Sequence, residues 1–231
     1  MNRRARILEI AAGRDTARYT WLLAALVASL ALPPLLQAMR IDIPSVRVGF
    51  TAVLLGATFV VSRRPRILWT GVALAAPALV LDWASLSFGS RALAMAASAL
   101  AVVFLGLVIA TLVAALLRAD RVTTDTMLGG ICVYLLLGVL WVSAFTLLET
   151  VAPGSVLLGG EALSAQAEAF RYSELLYFSF VTLTTLGYGD VLPATAAARA
   201  LAAGEAVIGQ LYVAIFVARL VGLHLAHVRQ D

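Results

Sequence analysis

The sequence predicts an all-α membrane protein: six transmembrane helices, with a short re-entrant helix and loop between the fifth and the sixth. Three observations carry that expectation. Of 231 residues, 62% are hydrophobic and 13% charged, whereas water-soluble domains hold about half apolar and a quarter charged residues. Apolar runs close to the ~20 residues that a bilayer requires recur along the chain, separated by Arg or by turn residues. One further apolar run is too short to cross, and it ends directly in a glycine-bearing stretch.

Taken in order, residues 1–18 form an Arg-bearing cytoplasmic segment (Arg3, Arg4, Arg6, Arg14, Arg18). The first span covers 19–39, with Pro33 and Pro34 kinking or ending it. The second, 44–62, is short, with Arg47 near one end where its side chain can snorkel. The third, 67–83, is also short and holds Pro77. Arg63, Arg64 and Arg66 lie between these two, where three guanidiniums belong at a membrane face. The fourth span, 92–117, contains no charged residue. Together 19–117 make a four-helix peripheral domain, and 118–125 a linker. The remaining half, 126–225, is a second domain: an outer helix over 126–148, a mixed loop with Pro153 and several glycines, a short helix over 173–184, the stretch 185–190, and a last helix over 198–225. Residues 226–231 form a cytoplasmic tail. With both termini inside, twelve Arg fall on inner segments and five on outer ones, which is the asymmetry expected for a multi-pass protein of the cell membrane.

All 17 basic residues are Arg. The net charge of +4 reads as topology rather than as affinity for nucleic acid. Cys132 is the only cysteine, which excludes a disulfide within the chain, and its apolar surroundings predict a small packed hydrophobe. No helix carries His, Asp or Glu paired at metal spacing, and no Ser-His-acid set shares a depth, so an enzyme is a poor reading. No cofactor is expected.

The chemistry sits in Thr185-Leu186-Gly187-Tyr188-Gly189-Asp190. Backbone without regular hydrogen bonds is tolerated at membrane depth only where protein buries it or it lines a wet cavity. Gly187 and Gly189 permit dihedrals that other residues avoid, so successive carbonyls can face one axis. Four such segments in a ring can replace the water around a dehydrated potassium ion at Thr185, Leu186, Gly187 and Tyr188, with the Thr185 hydroxyl adding an oxygen at the inner end. The short preceding helix would aim its negative end at a central cavity.

This segment resembles the potassium-channel selectivity filter, with Leu186 where Val is commoner, and the resemblance extends from about Thr126 to the C-terminus. With its six expected spans and no arginine in the fourth, the chain resembles bacterial-type six-transmembrane potassium channels that lack voltage-sensor arginines, the matching residues lying in a little under half of it. The resemblance implies a homotetramer, since one chain supplies a quarter of the ring. It implies that Tyr177 and Phe178 belong to an aromatic cuff into which Tyr188 packs, and that Asp190 accepts a hydrogen bond from Tyr177. Val181 stands where some bacterial members carry a carboxylic acid, so an acid pair with Asp190 is missing. It further implies that Gly209 is a hinge in the inner helix, although close helix packing accounts for a glycine there equally well. By spacing, Gln210, Val213, Val217 and Val221 face the conduction path, and a ring of Val217 or Val221 would gate by dewetting.

Glu205, one turn before Gly209, needs a reason to lie in an apolar helix. The expectation is that it braces the short helix by hydrogen bonding and makes the filter sensitive to pH, or else serves as a structural partner without regulatory effect. Membrane lipids are the surrounding partners. A weakly selective cation channel and a regulatory pore subunit remain as alternatives. A transporter subunit with four pore repeats does not fit a single copy of the motif.

Overall fold

In the computed structural model, the described residues are 19–31, 35, 65–119 and 123–228. The second expected span, 44–62, lies outside them, as do residues 1–18 and most of the linker. Six helices are described: α1 Tyr19–Ala31, α2 Pro65–Phe88, α3 Arg91–Leu117, α4 Thr124–Val151, α5 Glu168–Leu183 and α6 Ala196–Val228.

The helices end where their local chemistry says they should. α2 contains Pro77 and turns into α3 at Gly89, whose φ of 58° a residue with a Cβ adopts only at a cost. α3 carries no charged side chain after Arg91. α4 opens on Thr123, whose hydroxyl accepts the Thr126 N–H at 3.2 Å, and closes at Ala152, just before Pro153. Stretches of α3, α4 and α6 are long and apolar enough to cross a bilayer. The 16 residues of α5 reach about 24 Å at 1.5 Å per residue, short of a hydrocarbon core of about 30 Å.

The mixed loop after α4 is more ordered than its composition predicts. It holds β1 Val156–Leu158 and β2 Glu161–Ala162, which join β3 Val191–Pro193 in an antiparallel sheet of order β2-β1-β3. A single-residue register, Leu157 against Leu192 and Leu158 against Val191, thereby ties the loop to the chain leaving the 185–190 stretch. Three strands this short carry too little periodicity to be read from sequence.

Two apolar clusters hold the elements together. One packs Leu22 and Leu26 of α1 and Ala75 of α2 against Phe104, Leu105 and Val108 of α3 and Cys132, Val133 and Leu136 of α4. Cys132 is fully buried there, as a small hydrophobe. The other gathers Val142 and Phe145 of α4, Val156, Leu163 and Val191 of the sheet region, and Leu175, Leu176 and Phe178 of α5.

α3 is joined to its neighbours by two arginines, one at each end. Arg91 donates from Nε to the Thr150 carbonyl at 2.6 Å and from Nη2 to the Val151 carbonyl at 2.8 Å, satisfying the exposed end of α4. At the other face, Arg219 of α6 donates to the carbonyls of Leu117 and Ala119 at the end of α3.

Candidate functional site

The site begins at the C-terminus of α5. The Thr185 N–H donates to the Thr182 carbonyl at 2.9 Å, and the Leu186 N–H to the Val181 carbonyl at 2.9 Å. This pair of bonds is a Schellman motif, with residue 185 in the left-handed position where glycine is usual. Here the residue is Thr185 at φ 58°, alone among the described non-glycine residues in having positive φ. A β-branched residue in that region is strained by about 1–3 kcal/mol. Its hydroxyl donates to the Thr184 carbonyl at 2.7 Å and accepts from Gln210 Nε2 of α6 at 3.2 Å.

Beyond Thr185 the positive values recur at every second residue: 60° at Gly187 and 83° at Gly189, with Leu186 and Tyr188 on the ordinary side. Alternating right- and left-handed residues reverse the usual alternation of peptide planes, so that successive carbonyls can turn to one side. Residues 184–190 are all exposed in the single chain, consistent with a segment that has one face free. The two glycine positions follow from the sequence. Thr185 does not, because nothing in the residue type announces a left-handed threonine.

Behind the stretch, Tyr177 stacks on Tyr188 with the rings parallel to within 4° and 6.3 Å between centroids. The Tyr177 hydroxyl donates to Asp190 Oδ2 at 2.8 Å, and the Val191 N–H to Asp190 Oδ1 at 3.0 Å. The tyrosine bond first, then the backbone N–H groups, hold the Asp190 carboxyl below its usual range; the same bond pushes the Tyr177 hydroxyl up to about 12. The Asp190 carbonyl accepts from Gly159 N at 3.2 Å, which links the sheet's turn to the same residue. Phe178 turns the other way, edge-on to Phe145 of α4 at 5.0 Å, because adjacent residues of a helix point about 100° apart. A cavity of about 190 Å³ lies between these groups, lined by Tyr177, Phe178, Val181, Gly187, Asp190 and Ala202.

α6 presents two faces. Glu205, Gly209, Tyr212 and Phe216 turn inward, a spacing that follows one side of a helix. Glu205 is fully buried, with Oε1 2.6 Å from the Ser179 hydroxyl of α5, and that hydroxyl is 2.9 Å from the Gly138 carbonyl of α4. Gly209 lies so close to the end of α5 that a Cβ there would come within 2.3 Å of the Leu183 carbonyl oxygen. α6 runs through Gly209 without a break. Tyr212 donates to the Gly130 carbonyl at 2.8 Å, and its ring continues a stack from Tyr134 to Phe216. On the opposite side Gln210, Val213, Val217 and Val221 are exposed. Sequence reasoning passed over Ser179. Its signal was its place in the buried i, i+4, i+8 stripe of Leu175, Ser179 and Leu183, where a hydroxyl requires a partner.

Residues 131–223 match a family model described as Ion channel. No curated protein matches the chain. The matched residues run from α4 through α5 and the 185–190 stretch into α6, so this part of the chain is similar to an ion-channel domain, and three helices are long and apolar enough to cross a membrane. An ion-channel family is not an enzyme family.

Proposed function

We propose that the chain is one subunit of a homotetrameric potassium channel of the cell membrane, in which four 185–190 segments surround a single ion path. The observation that carries this reading is the alternation of φ at Thr185, Gly187 and Gly189, because it is the backbone geometry a row of inward carbonyls requires. Carbonyls at Thr185, Leu186, Gly187 and Tyr188 would then stand in for the hydration shell of K+. Tyr188, stacked on Tyr177 and backed by the Asp190 bond, would resist narrowing or widening of the ring. The bare face of α6 supports assembly: only 6% of its most apolar stretch is buried in the single chain, against 56% for α4. An apolar helix so little covered is completed by lipid or by other copies, and Gln210, Val213, Val217 and Val221 along it suit an inner cavity and gate.

α1–α3 form a peripheral group beside this pore. α3 has no charge between Arg91 and its end, so the membrane field has no row of arginines on which to act. Both termini would lie in the cytoplasm.

Purified protein in liposomes under opposed potassium and sodium gradients tests the proposal. A reversal potential near the potassium value, with a fourfold mass in detergent, is the expected result. A reversal potential near zero would favour a weakly selective cation channel. No flux without an added second protein would favour a regulatory subunit.

A further inference from the structure

The three-helix junction of Glu205, Ser179 and Gly138 contains more acceptors than protons. The Ser179 hydroxyl has one hydrogen, yet it lies 2.6 Å from Glu205 Oε1 and 2.9 Å from the Gly138 carbonyl. If Glu205 is ionised, that hydrogen serves one neighbour, and the other oxygen faces Ser179 with no proton between them. The second carboxylate oxygen, Oε2, is also buried without a partner. If Glu205 carries a proton the Ser179 contacts are both satisfied: the carboxyl donates to Ser179, Ser179 donates to Gly138, and Oε2 is left as a neutral carbonyl oxygen, which costs less to bury than a charged one.

The surroundings leave a negative charge here uncompensated. On α6, Arg199 lies nearly two turns earlier and donates to the Pro193 carbonyl at 3.3 Å, while Arg219 is four turns on and bonded to the end of α3. On α4 the titratable group that feels a Glu205 charge is Tyr134, itself an acid, with its hydroxyl 3.5 Å from the Leu183 carbonyl. Glu149, at the far end of α4, is bonded to the N–H groups of Gly154 and Val156. On α5, Glu174 and Tyr177, toward the outer end, both interact with Asp190, while Arg171 and Tyr172 lie in the first turns of the helix, with Arg171 donating to the Ser164 carbonyl at 3.4 Å. Trp141 Nε1 of α4 is also buried and unbonded, with its ring within contact of the Gly204 position. A buried carboxylate facing neutral and acidic neighbours alone is costly.

We propose that Glu205 is a neutral carboxylic acid whose proton closes the chain Glu205 to Ser179 to Gly138, and that losing this proton releases α5 from α4 and α6 behind the 185–190 stretch. The device is a proton-operated brace. Ser179 stands six residues before Thr185 on the helix that ends in the Schellman motif, so a shift of α5 is passed directly to the strained start of that stretch. The cavity behind the stretch reaches Ala202, one turn before Glu205 on α6. Glu205 is thus a positioning residue, and its electrical consequence rests on the channel reading above.

Infrared difference spectra of wild type and Glu205→Gln in liposomes at neutral pH read the proton directly, whether or not ions flow. The expected result is a protonated-carboxyl carbonyl band in wild type that is absent in the variant. A carboxylate signal alone would overturn the proposal. Potassium current is then followed from neutral to alkaline pH. Wild type is expected to lose current; Glu205→Gln, whose amide can still donate to Ser179, keeps it; Ser179→Ala, which breaks the chain while leaving the acid, has reduced current already at neutral pH. Equal alkaline responses in wild type and Glu205→Gln would refute the brace. Absence of all current in wild type would count against the channel reading instead, and the infrared band would still decide the protonation.

Discussion

Gly209→Ala separates two roles for the glycine in α6. If Gly209 is a point of flexibility with free space around it, alanine should stabilise the helix by about 1 kcal/mol, the usual gain over glycine in a helix interior. The structure predicts the opposite sign. The new methyl would lie 2.3 Å from the Leu183 carbonyl oxygen, 2.9 Å from Leu183 Cδ1 and 3.1 Å from the Leu183 carbonyl carbon. Ordinary contact is about 3.5 Å, so the two helices must separate by roughly 1 Å. Two of these three atoms, the nearest among them, belong to backbone at the end of α5, which cannot rotate aside as a side chain would. Overpacking of this kind costs about 1–3 kcal/mol, so the net effect is destabilising by up to about 2 kcal/mol. In thermal unfolding of detergent-solubilised protein, a loss of 1 kcal/mol lowers the midpoint by about 2–4 °C for a chain of this size. Gly222→Ala on the same helix is the control, since nothing lies within 4 Å of a Cβ there. A Gly209→Ala midpoint equal to or above wild type would refute the packing argument.

Three more predictions rest on single contacts. Tyr177→Phe removes the donor that holds Asp190 below the usual carboxylate range. Because that carboxyl is depressed in the folded state, its stabilisation is present above the ordinary carboxylate pKa and is lost as pH falls through the lowered one. The wild-type unfolding midpoint should therefore drop more on acidification than that of Tyr177→Phe, and equal drops would refute the coupling. Thr185→Gly relieves left-handed strain of about 1–2 kcal/mol but adds about 0.5–1 kcal/mol of chain entropy, so stability should change by less than about 1 kcal/mol. Potassium-over-sodium selectivity should fall, measured by reversal potential, because the hydroxyl that accepts from Gln210 is gone. Arg219→Ala removes two bonds to the end of α3 and should cost about 1–3 kcal/mol, read as a lower unfolding midpoint; Arg219→Lys, a point charge without the fork, should recover part of it.

The three helices long and apolar enough to cross a bilayer were legible because their signals are long. A run such as 92–117 without a charge admits few structures, and α3 occupies Arg91–Leu117. The ends were harder to read: α5 begins at Glu168 rather than near 173, because its first turn carries polar residues, which a search for apolar runs excludes. At the site, Gly187 and Gly189 announce their own backbone, and their φ values are positive. Partnerships between distant segments were the illegible part. Nothing local links Ser179 to Glu205 and Gly138, or Gly159 to Asp190. Gly130 and Gly138 read as ordinary residues of an apolar helix. A Cβ at either would strike a ring, Phe216 at Gly130 and Phe180 at Gly138, so each glycine is a notch cut for a neighbouring helix.

Four departures from local preference lie together. A left-handed threonine, a buried acid with an idle oxygen, an indole N–H without a partner and a glycine pressed against a carbonyl all lie at the junction of α4, α5 and α6. Strain of this kind persists only where surrounding packing over-determines it. Here the determinants come from every side: Gln210 and Gly209 from α6, Ser179 and the Schellman bonds from α5, Gly138 from α4, and the sheet through Gly159 and Val191. α3, which contributes none of these residues, runs as a regular helix from Arg91 to Leu117. That division argues that the 185–190 stretch is held in shape by the junction behind it. Perturbations at Glu205 or Gly209, neither of which belongs to the stretch, should therefore alter its behaviour as strongly as substitutions within it.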